Sequence, residues 1–209
     1  MASPFFEEAT KALVVDAVRD VESKTSAEIV VSLRAQSETY RDVDIAAGAV
    51  AAIVAMFALM FVPVELDEYL FPVEALLLFA LVSALVGKVP ALKRRLVSVK
   101  RRTARVLEAA RAHFVEAGVD RTRDRSGILV FVSLLEREVT LVPDRGIDPA
   151  AVGAPWDSVL VALRESLVAS DPNAFARALK SLGDPLGAIY PRKEDDTNEL
   201  PDAPDMRPS

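Results

Sequence analysis

Hydrophobic and polar positions divide this chain into two populations. From Ile45 to Val64 no charged and no strongly polar side chain interrupts the apolar run, and from Leu70 to Val86 only Glu74 and Ser83 do. A helix rises about 1.5 Å per residue, so ~20 residues cover the ~30 Å hydrocarbon core of a bilayer. Extended to Pro90, the second run also reaches that length. The pattern predicts two transmembrane helices, 45–64 and 70–90, joined by a short loop, 65–69. Buried helices of soluble proteins seldom lack a polar face over such a length.

The flanks carry the mixed pattern of a soluble domain. Ser3 and Pro4 suit a helix start, and Phe6, Ala9, Leu13, Ala17 and Val21 follow at helical spacing to about Ser23. Ala27 to Leu33 reads as a strand. After Pro90 a long amphipathic helix is predicted up to Gly118, with Leu92, Leu96, Val99, Thr103, Val106, Ala110 and Phe114 on one face. Gly127–Leu134 and Glu138–Val142 read as strands joined by a turn at 135–137. Helices over Pro149–Ala169 and Pro172–Ile189 follow, and 191–209 has the composition of a disordered acidic tail. Neither flank alone holds enough strands for a sheet. The economical solution is one α/β domain built from 1–41 and 91–190, which requires both segments on the same side of a membrane.

Charge orients that arrangement. The connection Glu65 to Tyr69 is acidic and lacks Lys and Arg, whereas Lys88, Lys93, Arg94, Arg95, Lys100, Arg101 and Arg102 follow the second run. The positive-inside rule then places both termini in the cytoplasm, in agreement with Lys24, Arg34 and Arg41 before the first run. The N-terminus lacks the basic start and cleavage site of a secretory signal. A net charge of −6 argues against nucleic acid as a partner. The absence of cysteine excludes disulfides and thiolate chemistry. Ala47, Gly48, Ala51, Ala52 and Ala55 form a small-residue face in the first run, suited to close packing on the second or on another copy of the chain. Neither run offers a buried charge for an ion pathway.

Several stretches resemble the TPM domain family, also called the TPM phosphatase domain. They are Thr25 to Val31, Ala112 to Gly118 with Thr122 to Ser133, Val142 to Ile147, Trp156, and the tail Asp195 to Asp202. The resemblance covers most of 1–40 and 100–202 and points to a bacterial membrane-protein branch. It implies a mixed-sheet αβα sandwich, here interrupted by a two-helix transmembrane hairpin in the bacterial inner (plasma) membrane. It also implies roles in assembly, repair or auxiliary support of membrane proteins, weak phosphatase activity, and divalent-cation binding through loop carboxylates. This chain departs from the commoner layout, in which any anchor follows the domain instead of interrupting it.

The candidate chemistry is sparse. Asp144 and Asp148 flank Gly146 at a strand end, and Asp120 and Asp124 lie in the preceding loop. Together they could hold a hard divalent cation, Ca or Mg, or could equally serve ordinary turn chemistry. A phosphatase could draw on Arg123, Arg125 and Arg145 for charge and on Thr122 or Ser126 for a hydroxyl, but no base pairs visibly with either hydroxyl. His113 falls beside the core stripe of its helix, as a surface or boundary residue. The basic run Lys93, Arg94, Arg95, Lys100, Arg101 and Arg102 fixes topology and is placed to hold anionic lipid. Trp156 suits core packing or a partner surface, and Glu28 could pair with Arg125 across strand ends. The expected function is a membrane-anchored, non-enzymatic module that binds or stabilises other membrane proteins. The competing reading is a metal-dependent phosphohydrolase.

Overall fold

A computed structural model describes residues 3–59, 61, 70–193, 195 and 197–208. The predicted loop 65–69 and the end of the first apolar run lie outside the described residues. The chain divides into two compact units, 1–37 with 103–209, and 38–102.

The first unit is α/β. A 3-10 turn, Pro4–Phe6, precedes helix α1 (Glu8–Glu22) and strand β1 (Glu28–Arg34). After the second unit, helix α5 (Val99–Glu116) leads to β2 (Gly127–Ser133) and β3 (Glu138–Pro143). Helices α6 (Pro149–Val152), α7 (Ala154–Ala169), α8 (Pro172–Lys180) and α9 (Gly183–Ile189) follow, then β4 (Asp205–Arg207). The open sheet has the order β3-β2-β1-β4. β1 runs parallel to β2 and to β4, and β2 runs antiparallel to β3, so the sheet is mixed.

Side-chain alternation sends the two faces of the sheet to different helices. Ile29, Val31, Leu33, Ile128, Val130 and Val132 pack with Val14, Val18 and Val21 of α1, Leu163 of α7, and Phe175 and Leu179 of α8. Val30, Leu129 and Phe131 face the other way, against Val106 and Ala110 of α5. β2 is buried along its whole length, as a strand covered on both faces should be.

Four predicted elements differ in the structure. The helix predicted over Pro149–Ala169 is two helices, because Gly153 adopts φ 69°, ψ −141° and Pro155 opens a new first turn. The helix predicted over Pro172–Ile189 breaks after Lys180. The long helix after Pro90 breaks at Val97, which is extended at φ −85°, ψ 126°. The tail read as disordered supplies β4 instead: Asp205, Met206 and Arg207 pair with Ser32, Leu33 and Arg34.

The second unit contains α2 (Arg41–Leu59), α3 (Phe71–Lys88), α4 (Pro90–Leu96) and the first residues of α5. Helices α2 and α3 are each long and apolar enough to cross a membrane by length and composition. They pack against each other along the small-residue face of α2. A Cβ on Gly48 would overlap Ser83 Oγ and lie 2.6 Å from the Phe79 carbonyl oxygen, so only glycine allows this approach. In the described hairpin that face is occupied by α3.

Candidate functional site

Polar side chains gather at both ends of the parallel pair β1 and β2. At the N-terminal end, two loops meet backbone to backbone. Gly146 N–H donates to the Arg125 carbonyl at 2.9 Å, and a Cβ there would lie 2.5 Å from the Asp124 carbonyl oxygen. This approach brings Asp144 beside Arg125, which sits at φ 55° at the end of the 122–125 turn. Asp144 is buried. Its Oδ1 accepts from Arg145 N–H at 2.8 Å, and its Oδ2 lies 3.7 Å from the Arg125 guanidinium without a hydrogen bond. Asp120 Oδ2 stands 3.9 Å from the same guanidinium, which also donates to the Asp120 carbonyl. Asp120 Oδ1 is buried without a hydrogen-bond partner.

The four predicted aspartates therefore split. Asp120 and Asp144 share Arg125, Asp124 pairs with Lys193, and Asp148 caps α6 by accepting from Ala150 N–H at 2.9 Å. Among the described residues no three carboxylates or imidazoles come together in position to hold a metal. Arg125 turns to Asp120 and Asp144 instead of to Glu28, whose Oε2 accepts from Leu200 N–H at 3.4 Å. Trp156 is a core residue, packed with Val159 and Leu163 of its own helix on the sheet face that β1 and β2 share.

Beside Glu28 lies a cavity of about 260 Å³ lined by Arg19, Glu22, Thr25, Glu28 and the tail residues Asn198 and Asp202. Glu22 accepts from Ile29 N–H at 2.9 Å. Burial, with the nearby Glu28 and Asp202 carboxylates, pushes its carboxyl up to about 8. Asp202 is held below the usual carboxylate range by Arg19, 2.7 Å away. In the sequence Glu22 closes a helix as an ordinary polar residue. Its nearness to Glu28 across the short turn from α1 to β1 was the available signal.

At the C-terminal end of the pair, where open α/β sheets commonly bind ligands, stands a second cluster. Arg34 donates to Asp205 of β4 at 2.8 Å and lies 3.1 Å from His113 Nδ1. His113 is buried, not at the surface or boundary as expected. Burial and then the Arg34 charge hold it below its ordinary value. Ser37 Oγ and Ser133 Oγ bond at 2.8 Å, and Ser133 donates to the buried Glu136 at 2.5 Å. Ser32 Oγ is buried without a partner. Of these groups only His113 stands among the sequence candidates for chemistry, and Arg34 figures there for its charge alone.

In the second unit the basic run is not uniform. Lys93 is buried, bonded to Asp44 Oδ2 at 3.0 Å and to the Thr39 carbonyl at 2.9 Å. Arg101 grips Asp42 through two bonds of 2.6 and 3.0 Å, reaches Glu38 at 3.5 Å and lies over the Tyr40 ring. Lys93 is thus an internal strut and not at a surface open to lipid, and Arg101 is half-buried and engaged by Asp42 and Glu38. Arg95 and Lys100 are exposed, and Arg94 and Arg102 are half-buried.

No family model matches the chain, and no curated protein matches it. Its fold is similar to the NMR structure of BA42 protein from the psychrophilic bacterium Bizionia argentinensis. The TM-score is 0.59, with 19% sequence identity, over 97% of this chain and 96% of that one. At that identity the likeness bears on the fold alone.

Proposed function

We propose that this chain is a membrane-anchored, TPM-like module that binds or stabilises other membrane proteins and has no catalytic chemistry of its own. The observation that carries the reading is the outer surface of the hairpin. Phe57 is 62% exposed, Leu77 64% and Leu81 66%, and α2 and α3 each bury a single residue, Gly48 and Val86. A contiguous apolar surface of this kind is disfavoured in water and favoured in hydrocarbon. The hairpin thus crosses the bacterial inner membrane with both termini in the cytoplasm, as the cation distribution argues. Partners reach the module through the bilayer or at its cytoplasmic face, and a second copy is among them.

Two measurements test this. Full-length protein should stay with membranes through alkaline carbonate extraction, and release into the wash would overturn the anchor. After mild crosslinking it should co-purify with other membrane proteins, and recovery alone from several growth conditions would overturn the binding role.

One observation favours a second reading, a divalent-metal-dependent phosphohydrolase of the TPM type. Asp144 Oδ2 and Asp120 Oδ1 are both buried without hydrogen bonds near one guanidinium. A cation entering there would have to displace Arg125. Hydrolysis of a generic phosphomonoester that needs Ca or Mg and disappears in Asp144→Ala would establish this reading. Activity untouched by that substitution would remove it.

A further inference from the structure

The break between α4 and α5 leaves two apolar side chains outward among cations. Leu96, last in α4, is 49% exposed, and Val99, first in α5, is 63% exposed. Val97 between them is buried, and its N–H donates to the Lys93 carbonyl at 3.1 Å. Ser98 restarts the helix, its carbonyl accepting from Arg102 N–H at 3.1 Å. A continuous helix over this stretch would have carried Leu96 and Val99 on the stripe shared with Val106 and Ala110. The break separates Leu96 from it, and Val99, first on that stripe in α5, stays 63% exposed.

The flanking charge is all of one sign. Arg95 and Lys100 are exposed beside the two apolar residues, and Lys88 is exposed at the end of α3. No acidic residue occurs in the sequence between Lys88 and Glu108. Lys93 and Arg101 are held by Asp44, Asp42 and Glu38, so they brace the elbow. Only Val89 lies between the apolar helix α3 and Pro90 at the start of α4, so the elbow follows the hairpin without a spacer.

We propose that this elbow is a binding surface for anionic phospholipid. Leu96 and Val99 seat at the boundary of head groups and acyl chains, and Arg95 and Lys100 contact the phosphates. The proposal rests on the hairpin crossing the membrane. Exposed leucine and valine gain from an acyl environment, and neighbouring cations gain from a negative surface, so an anionic leaflet satisfies both at once. An acidic protein would answer only the charge. The positive-inside effect concerns the whole basic run, whereas this surface uses a specific pair of apolar residues with the exposed Arg95 and Lys100 beside them.

The chain has no cysteine, so single spin labels can be placed cleanly on the full-length protein at Leu77→Cys, Leu96→Cys and Val99→Cys. Each is compared in nanodiscs of phosphatidylcholine with and without phosphatidylglycerol. Labels at 96 and 99 should become shielded from a water-soluble nickel chelate and open to oxygen when phosphatidylglycerol is present. Arg95→Gln with Lys100→Gln should weaken that preference by roughly fivefold per cation, while the remaining cations preserve orientation. A label at 99 that stays in water while the label at 77 lies in hydrocarbon overturns the proposal and leaves the hairpin reading standing. A label at 77 in water overturns both. Immersion at 96 and 99 that ignores lipid charge and the double substitution overturns the anionic-lipid assignment.

Discussion

Strand β2 and helix α3 are both nearly pure hydrocarbon in sequence, and the molecule treats them in opposite ways. GILVFVS is buried at every position, between α5 on one face and the α1, α7 and α8 layer on the other. FPVEALLLFALVSALVGK turns most of its surface outward. Apolarity alone does not say which solvent a segment leaves water for. Length does: seven residues fit the width of a sheet covered on both faces, and eighteen helical residues approach the thickness of a bilayer. The comparison also locates stability. One region is held by protein packing, and in the proposed reading the other is held by lipid.

The comparison breaks most visibly if α3 is made polar. Leu77→Arg with Leu81→Arg should abolish membrane retention, since a central arginine costs about 2.5–3.5 kcal/mol in a spanning helix and two cost about twice that; fractionation reads the loss. Next in size, Phe131→Ala should lower unfolding free energy by ~3–5 kcal/mol through cavity formation. Urea unfolding followed by the fluorescence of Trp156, the only tryptophan, measures it. The matching change Leu77→Ala should move the same transition by no more than about 0.5 kcal/mol, and an equal shift would erase the distinction between the two regions.

Gly48→Val tests the contact inside the hairpin. The new side chain meets Ser83 and the Phe79 backbone, and overpacking of that kind costs about 1–3 kcal/mol. Cysteine crosslinking between α2 and α3 should then fall. The effect expected at Glu22 shows only as a dependence on pH. Its folded value of about 8 lies above the ordinary 4.5, so the folded state binds the extra proton between those values. Glu22 thus lowers stability progressively as pH rises through that window, and its cost is fully present above it. Glu22→Gln should flatten the slope, seen as urea midpoints that agree more closely at the two ends of the window.

The strands and the apolar helices were legible because period and length are local properties. β1, β2 and β3 fall within a residue or so of the predicted ends, and the expectation that the flanks form one mixed-sheet unit agrees with the topology. β4 was not legible, because its composition is that of a loop and its reasons lie elsewhere in the chain. Arg34 holds Asp205, and Met206 reaches the partly buried margin of the core. The break at Val97 was hidden for a related cause: no glycine or proline marks it, and the internal bonds of Lys93 and Arg101 surround it. The polar clusters were hardest to read. Glu22 acquires its character from burial and from the distant Asp202 as well as from nearby Glu28, and Glu136 from Ser37 and Ser133, surroundings that sequence order reveals only in part.

The parallel pairing of β1 with β2 also dictates a schedule. Glu28 aligns with Gly127 and Arg34 with Ser133, yet the whole second unit is synthesised between them. While the chain emerges from the ribosome, β1 has no neighbour to accept it until both apolar helices have been made and have left the exit tunnel. Sheet closure across so large a separation is slow compared with local helix formation. In the proposed membrane setting, insertion therefore precedes completion of the sheet, and a chain whose hairpin fails to insert would carry an unpaired β1, with Ile29, Val30, Val31 and Leu33 uncovered, as the mark of that failure.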